Sequence, residues 1–393
     1  MALLACQLDA TVREGLATVL ACAPAAQGYD VVLDAVLLYP EGGGQPSDHG
    51  TIAGLPVRAL SKRPDGAVVH RLDAPVHGQV RVVVDWARRF DHMVQHTGQH
   101  LLTAVAQRDL GFATTAFHLG PERCDIELDA PALDEAQIAA LEEACNAIIR
   151  EARPVTPRVV TRQELDGLGV RTRGLPEGLT GPIRLIEIAD LDLNTCGGTH
   201  VSSTAQLQAL KLLDTERIRG GVRLHFLVGA RVLAALAVAS AREAALTRAL
   251  SQGPEGHLSA VEKLAEDARK TSKALKAMSA ELALTLGEAL AGRAETEMAV
   301  HREDADMGFL NAVAGALLAR RPDAVLLLTA GATEGVFLLA GPEDRVKAAG
   351  AGVAALLEGR GGGARGRFQG KAARLDRRDE ALALLRERGP ASG

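Results

Sequence analysis

Between residues 29 and 85 the hydrophobic positions come in short runs broken by Gly and Pro. The runs at 31–33, 35–39, 57–60, 67–70 and 80–84 are rich in Val and Leu and too short for helices. They predict the strands of a small antiparallel sheet or barrel. Near Asp91 the period lengthens: Met93, Val94, His96, Leu101, Val105 and Ala106 fit a helix that ends before Gly111. A second helix is predicted from about Asp134, a capping residue, to Glu151, with Pro154 beyond its end. The segments 124–128, 184–188 and 223–228 alternate like sheet strands, so an α+β domain is expected over about 86–235.

From about 231 to 293 the pattern is helical, broken once at Gly253-Pro254. Beyond the break Val261, Leu264, Ala268, Leu275, Met278, Leu282, Leu286 and Leu290 recur at steps near 3.5, which predicts a helical arm or short coiled-coil hairpin. An amphipathic helix lying on a domain satisfies the same pattern. Residues 303–393 return to α/β signals: a helix around 309–318, strands at 324–329 and 335–340, a helix over 345–357, a glycine-rich turn and a terminal helix. The expected organisation is α+β in four parts: a β-barrel domain with a Gly-rich loop (1–85), an α+β domain (86–235), a helical arm (236–302) and a Gly-rich basic α/β domain (303–393).

Composition narrows this picture. Of 393 residues 47% are hydrophobic and 24% charged, enough apolar material to exclude wholesale disorder. At 3% aromatic residues, a surface built mainly of stacked rings is not expected. The net charge of −5 points away from nucleic acid, but it averages over an uneven chain. From Gly359 onward Arg360, Arg365, Arg367, Lys371, Arg374, Arg377, Arg378, Arg386 and Arg388 face only Asp376, Asp379, Glu380 and Glu387, a local +5. The five cysteines form no framework, the N-terminus lacks a basic n-region, and the apolar stretch 232–241 is about half a membrane span. A cytoplasmic protein without a membrane partner is expected.

Two motifs carry chemistry. His96-Thr97-Gly98-Gln99-His100 sets two imidazoles one helical turn apart on a single face. Alone, such a pair is more often structural than metal-binding. Cys196-Gly197-Gly198-Thr199-His200 repeats the spacing, with two glycines that let the backbone bend tightly between the donors. Three imidazoles and one thiolate make a tetrahedral set suited to one Zn²⁺. Four protein ligands usually close a structural site. One pair on a helix and another after a strand about a hundred residues later instead resemble the floor of an enzyme cleft.

This arrangement resembles the editing domain shared by alanyl- and threonyl-tRNA synthetases, and is most similar to that of the free-standing alanyl-tRNA editing proteins, the AlaX group. Glu41-Gly42-Gly43-Gly44-Gln45-Pro46-Ser47-Asp48 matches the Gly-Gly-Gln-Pro-x-Asp loop of their N-terminal barrel. Phe117-His118-Leu119-Gly120 with Asp125-Ile126-Glu127-Leu128 resembles their core strand pair, and Arg184-Leu185-Ile186-Glu187-Ile188 the strand before the Cys motif. The helical arm and Gly359-Arg360-Gly361-Gly362-Gly363-Ala364-Arg365-Gly366-Arg367 resemble the long AlaX form and the domain that ends alanyl-tRNA synthetase. One departure is Asn194-Thr195, where the family often has Gln; a shorter amide reshapes the pocket floor.

The resemblance implies an aminoacyl-tRNA deacylase acting in trans on alanine tRNA mischarged with serine, and with glycine besides. The implied zinc ligands are His96, His100, Cys196 and His200. Such an ion polarises the ester carbonyl or lowers the pKa of water, so no Ser-His-Asp triad is needed, and Gly-x-Ser-x-Gly is absent. Thr97 and Thr114 are expected as polar lining, with backbone amides of Gly42, Gly43 and Gly44 beside them. Gln45 and Asp48 share that loop. His118 is expected on the substrate side or behind the ligands. Arg217, Arg219 and Arg223, with Arg365 and Arg367, are expected to meet the tRNA backbone. A homodimer through the arm or the C-terminal domain is the second implied partnership. Two other classes stay open: a non-catalytic tRNA-binding or synthetase-associated protein with a structural zinc, and a zinc hydrolase of an unrelated small ester.

Overall fold

The N-terminal run of strands forms one antiparallel sheet. In the computed structural model, which describes residues 3–171 and 181–387, β1 (Glu14–Pro24), β2 (Tyr29–Leu33), β3 (Gly50–Ile52), β4 (Leu55–Pro56), β5 (Ala59–Lys62), β6 (Val68–Leu72) and β7 (Gln79–Val84) lie in the order β4-β3-β7-β1-β2-β6-β5. The edges β4 and β5 do not pair, so the sheet is open rather than a closed barrel. Val31, Leu38, Ile52, Leu72 and Val82 form its core. A helical turn, α1 (Ala5–Leu8), precedes it.

The expected strand at 35–39 is absent, although Leu37, Leu38 and Tyr39 are buried. Its backbone groups bond outside any strand pair: Arg89 donates to Leu37 O and Tyr39 N–H to the Asp48 side chain, while Val36 O and Tyr39 O accept from the Cys6 and Asp48 N–H groups. Conversely β1, at the middle of the sheet, was not expected. Leu16 and Leu20 are exposed, so its apolar residues do not follow a clean two-residue period.

The centre of the next region is a helix, α2 (Trp86–Leu110), which begins at Trp86 rather than near Asp91. Asp85 caps it by accepting the Arg88 N–H, and Gly111 ends it in the left-handed conformation. Its middle, 92–106, is buried throughout. Around it lie β8 (Thr114–Leu119), β9 (Cys124–Leu128), α3 (Glu135–Arg150), β10 (Val155–Val160), α4 (Arg162–Asp166), β11 (Ile183–Ile188), β12 (Asp192–Thr195), β13 (Leu210–Ile218) and β14 (Gly221–Val228). The strands form two antiparallel sheets, β13-β14-β9-β8 and β10-β11-β12. Asp134 caps α3 in a capping box with Gln137. Leu101, Leu102, Val105, Ile126, Leu141, Ile148, Leu224 and Phe226 join the helices and the larger sheet in one core.

Contacts divide the chain into two compact units, Met1–Ala245 and Leu246–Gly393, with α5 (Ala230–Leu250) running through the division. The second unit holds α6 (His257–Ala291), β15 (Glu297–Arg302), α7 (Met307–Arg320), β16 (Val325–Gly331), β17 (Gly335–Ala340), α8 (Glu343–Leu356), β18 (Gly359–Gly362), β19 (Arg367–Ala372) and α9 (Arg378–Glu387). Its sheet runs β15-β16-β17-β19-β18, with β15 parallel to β16. Leu326, Leu328 and Leu338 feed one core with α7, and Leu327, Phe337 and Leu339 another with α8 and α9. Burial on both faces accounts for the continuous apolar run in β16.

Two details differ from the expected helical arm and flexible turn. The strand β15 lies within 236–302, and the glycine-rich segment is the β-hairpin β18–β19, whose turn holds Arg365 and Gly366 at positive φ. Glycine gives little strand signal, and it is pairing of β19 with β17 that recruits the segment into the sheet. Arg388, counted in the basic tail, lies outside the described residues. Among the described residues no helix is long and apolar enough to cross a membrane.

Candidate metal centre

Helical spacing on α2 sets His96 and His100 on one face, and the loop after β12 brings Cys196 and His200 against them. Cys196 Sγ lies 3.4 Å from His96 Nε2 and 3.2 Å from His200 Nε2. One donor atom from each of the four residues falls within 4.8 Å of the others. A tetrahedral ion with bonds of about 2.0–2.3 Å would hold its donors roughly 3.3–3.6 Å apart, so this set fits Zn²⁺.

The loop is held from outside. Arg184, buried in β11, donates Nη1 to Cys196 O and Gly198 O, both at 2.8 Å, and Nε to Gln7 O at 3.0 Å. Gln7 Nε2 in turn donates to Gly197 O at 2.8 Å. Gly198 passes so close to the His96 ring and Gln45 Oε1 that a Cβ would collide with both.

Each imidazole presents Nδ1 to a different neighbour. Gln45 Oε1 accepts from His96 Nδ1 at 2.9 Å and from Thr199 N–H at 2.9 Å, and Gln45 Nε2 donates to Thr199 Oγ1. Thr97 Oγ1 meets His200 Nδ1 at 3.1 Å and accepts from Val201 N–H. His100 Nδ1 is buried without a hydrogen bond; the Asp192 carboxylate stands 3.7 Å away, too far for one.

Charge follows this geometry. Burial opposes ionisation of Cys196, but His96, His200 and His100 outweigh it and bring the thiol well below its usual range. Burial pushes His200 down to about 3, against the pull of Cys196. Burial also disfavours the His100 imidazolium, yet Cys196 and Asp192 turn its net shift upward. A thiolate among imidazoles is a soft, cation-seeking set.

A cavity of about 410 Å³ opens on this cluster, lined by Gly43, Gly44, His96, His100, Phe117, Asn194, Thr195, Cys196 and Gly197. Three of the four donors therefore face open space and His200 stands behind them. Phe117 closes one wall against Gly44, whose φ of +83° and close ring contact leave no room for a side chain.

The second additional domain of threonyl and alanyl tRNA synthetases matches residues 183–224, which carry β11 and the whole Cys196 motif. Along nearly the full length, a Rattus norvegicus protein named Alanyl-tRNA editing protein Aarsd1 is 41% identical over 97% of each chain. The chain belongs to the alanyl-tRNA editing protein family. Alanyl-tRNA editing protein Aarsd1-B of Xenopus laevis is 39% identical over 97% of each chain. An Alanine--tRNA ligase of Metallosphaera sedula is 34% identical over 51% of this chain and 24% of the ligase.

In this alanyl-tRNA editing family member the glycine-rich loop reaches the cavity through Gly43 and Gly44, while Gly42 bonds back to Gln45 in a tight turn. Gln45 is buried behind His96. Asp48 is buried below the site and paired with Arg89, which ties the loop to α2. Neither Thr97 nor Thr114 lines the cavity: Thr97 supports His200, and Thr114 donates to Thr103 on α2. Strand alternation turns His118 away from Phe117, to pair with Asp125 at 2.8 Å on an exposed face. Arg217 and Arg219 are exposed, whereas Arg223 is engaged by Glu127 and Glu216. In the other unit Arg365 is exposed and Arg367 binds Asn311. Sequence reading missed Asp192 and Arg171 altogether. For Arg184 a signal existed: a lone cation in the otherwise apolar start of β11.

Proposed function

We propose that this chain is a trans-editing hydrolase that deacylates alanine tRNA carrying serine or glycine, with one Zn²⁺ held by His96, His100, Cys196 and His200. The observation that carries this reading is the cavity floored by three of those donors. When bound, the ion would supply Lewis acidity to an ester carbonyl and lower the pKa of water in the pocket, which requires one of the four ligands to give way or a fifth position to open towards the cavity. The protein's own part is positional. Gln45 and Thr97 orient His96 and His200, and Phe117 walls the cavity from bulk water. The backbone of Gly43 and Gly44 offers donors for the ester oxygens. Asn194 and Thr195 are the polar side chains placed to meet the aminoacyl group. A site that hydrogen-bonds a serine hydroxyl rejects alanine, which lacks it, by about 10⁴-fold or more; glycine lacks it too, so its hydrolysis would rest on its smaller size.

The tRNA body falls to the exposed Arg217 and Arg219 and to the basic C-terminal segment around Arg365. The apolar stripe of α6 serves a homodimer. All five cysteines are free, which suits a reducing cytoplasmic compartment. The test is deacylation of Ser-, Gly- and Ala-tRNA(Ala) by the purified protein, with and without chelator. Hydrolysis of the first two, lost with chelator and in His96→Ala/His100→Ala, is the expected result. Firmly bound zinc with no deacylation would mean a structural site, and hydrolysis indifferent to the tRNA portion a general esterase.

A further inference from the structure

We propose that Asp192, clamped by Arg171, is a positioning residue that fixes His100 with its Nε2 on the metal. The inference rests on the metal reading above and adds two residues to it.

The three imidazoles are not equivalently supported. His96 and His200 have neutral oxygens within hydrogen-bond distance of Nδ1, whereas His100 Nδ1 is orphaned in a buried site. The Asp192 carboxylate is the charged group beside it, at 3.7 Å, with both side chains 4% exposed. The 3.7 Å gap is a few tenths of an ångström beyond a hydrogen bond, and closing it, so that the N–H donates to the carboxylate, is what would satisfy both buried groups. The proton is then settled on Nδ1, and Nε2 keeps its lone pair for the ion.

Asp192 is held for this role on two sides. It opens β12, where alternation sends Leu193 into a small core with Leu185 and leaves Asp192 and Asn194 on the side of the centre. Arg171 grips the carboxylate with both arms, Nε to Oδ1 at 3.0 Å and Nη2 to Oδ2 at 2.6 Å. The Arg171 backbone is itself stitched to β12: its N–H donates to Leu193 O at 2.8 Å, and it bridges Asn194 in parallel register. The guanidinium balances the carboxylate charge and keeps Asp192 from swinging in as a ligand, so it acts through His100.

The test uses the full chain as Asp192→Asn, Arg171→Lys and Arg171→Ala, loaded with Zn²⁺ or Co²⁺. Asp192→Asn should weaken zinc binding about 10- to 100-fold in chelator competition and alter the Co²⁺ ligand-field spectrum. Deacylation should lose kcat with KM little changed. Arg171→Lys keeps the charge without the fork and should fall between wild type and Arg171→Ala in affinity. If Asp192→Asn does not fold, the order of the two Arg171 variants decides. Wild-type zinc affinity and cobalt spectrum in Asp192→Asn, or in Arg171→Ala when the Asp192 variant is unfolded, overturn the proposal. Failure of the wild-type chain to bind either metal removes the metal reading itself, which is a separate result.

Discussion

Single residues do unlike work in this protein although their types repeat. Among its histidines, three converge on Cys196, while His118 faces outward and His70 is sealed in the N-terminal sheet. His70 Nδ1 donates to Val31 O at 3.2 Å, its Nε2 has no partner, and burial pushes its pKa down to about 4. The folded chain thus binds the His70 proton less readily than the unfolded chain, whose histidine titrates near 6.5. The neutral state's advantage is fully present above about pH 6.5 and is lost as pH falls towards 4, at a cost of at most about 3 kcal/mol. His70→Gln retains an N–H donor but does not titrate. Urea unfolding at pH 7 and pH 4.5 should show a smaller acid loss in His70→Gln than in wild type. Equal losses would assign the acid sensitivity elsewhere.

At the scale of elements, the Cys196 loop takes its shape from the segments packed around it. The loop has no regular structure between β12 and the turn at Thr204, so its carbonyls need outside donors, and Arg184 and Gln7 supply them. Arg184→Ala leaves the carbonyls of Cys196, Gly198 and Gln7 without that guanidinium. Unpaired buried groups cost about 1–3 kcal/mol each, so a drop of several kcal/mol in unfolding free energy is expected. Zinc affinity should fall with it, and calorimetry with metal titration checks both. At this scale sequence reading succeeded where a segment's own pattern decides. The period of α2, the Asp134 cap of α3 and the alternation of β9 were all legible. It failed at 35–39, where residues 37–39 are buried but the backbone bonds go to Arg89, Asp48 and Cys6 rather than to a neighbouring strand. It also failed at β18–β19, where neighbouring strands impose a structure glycine does not favour.

Across the whole molecule, the stripe predicted along α6 exists, but Val261, Leu264, Leu275 and Met278 are 49–67% exposed, while Leu290 is buried beside α7. Apolar residues at heptad-like steps left open suit burial against a partner, and in the proposed homodimer a second copy would cover them. Sedimentation should give a dimer for wild type and a monomer for Leu264→Glu/Leu275→Glu. Zinc content should be unchanged, because all four donors lie within Met1–Ala245. The His/Cys cluster was readable from sequence because each pair is local: four residues of helix, or two glycines in a tight loop, bring its members together whatever surrounds them. The supports of that set were not. Gln45 reaches His96 across 51 positions, Asp192 faces His100 from β12, and the threonines expected to line the cavity do not line it. Spacing alone determined the two local pairs, His96 with His100 and Cys196 with His200. Packing between distant segments decided which way each imidazole points, because a ring's orientation is set by whatever atom lies against its other nitrogen.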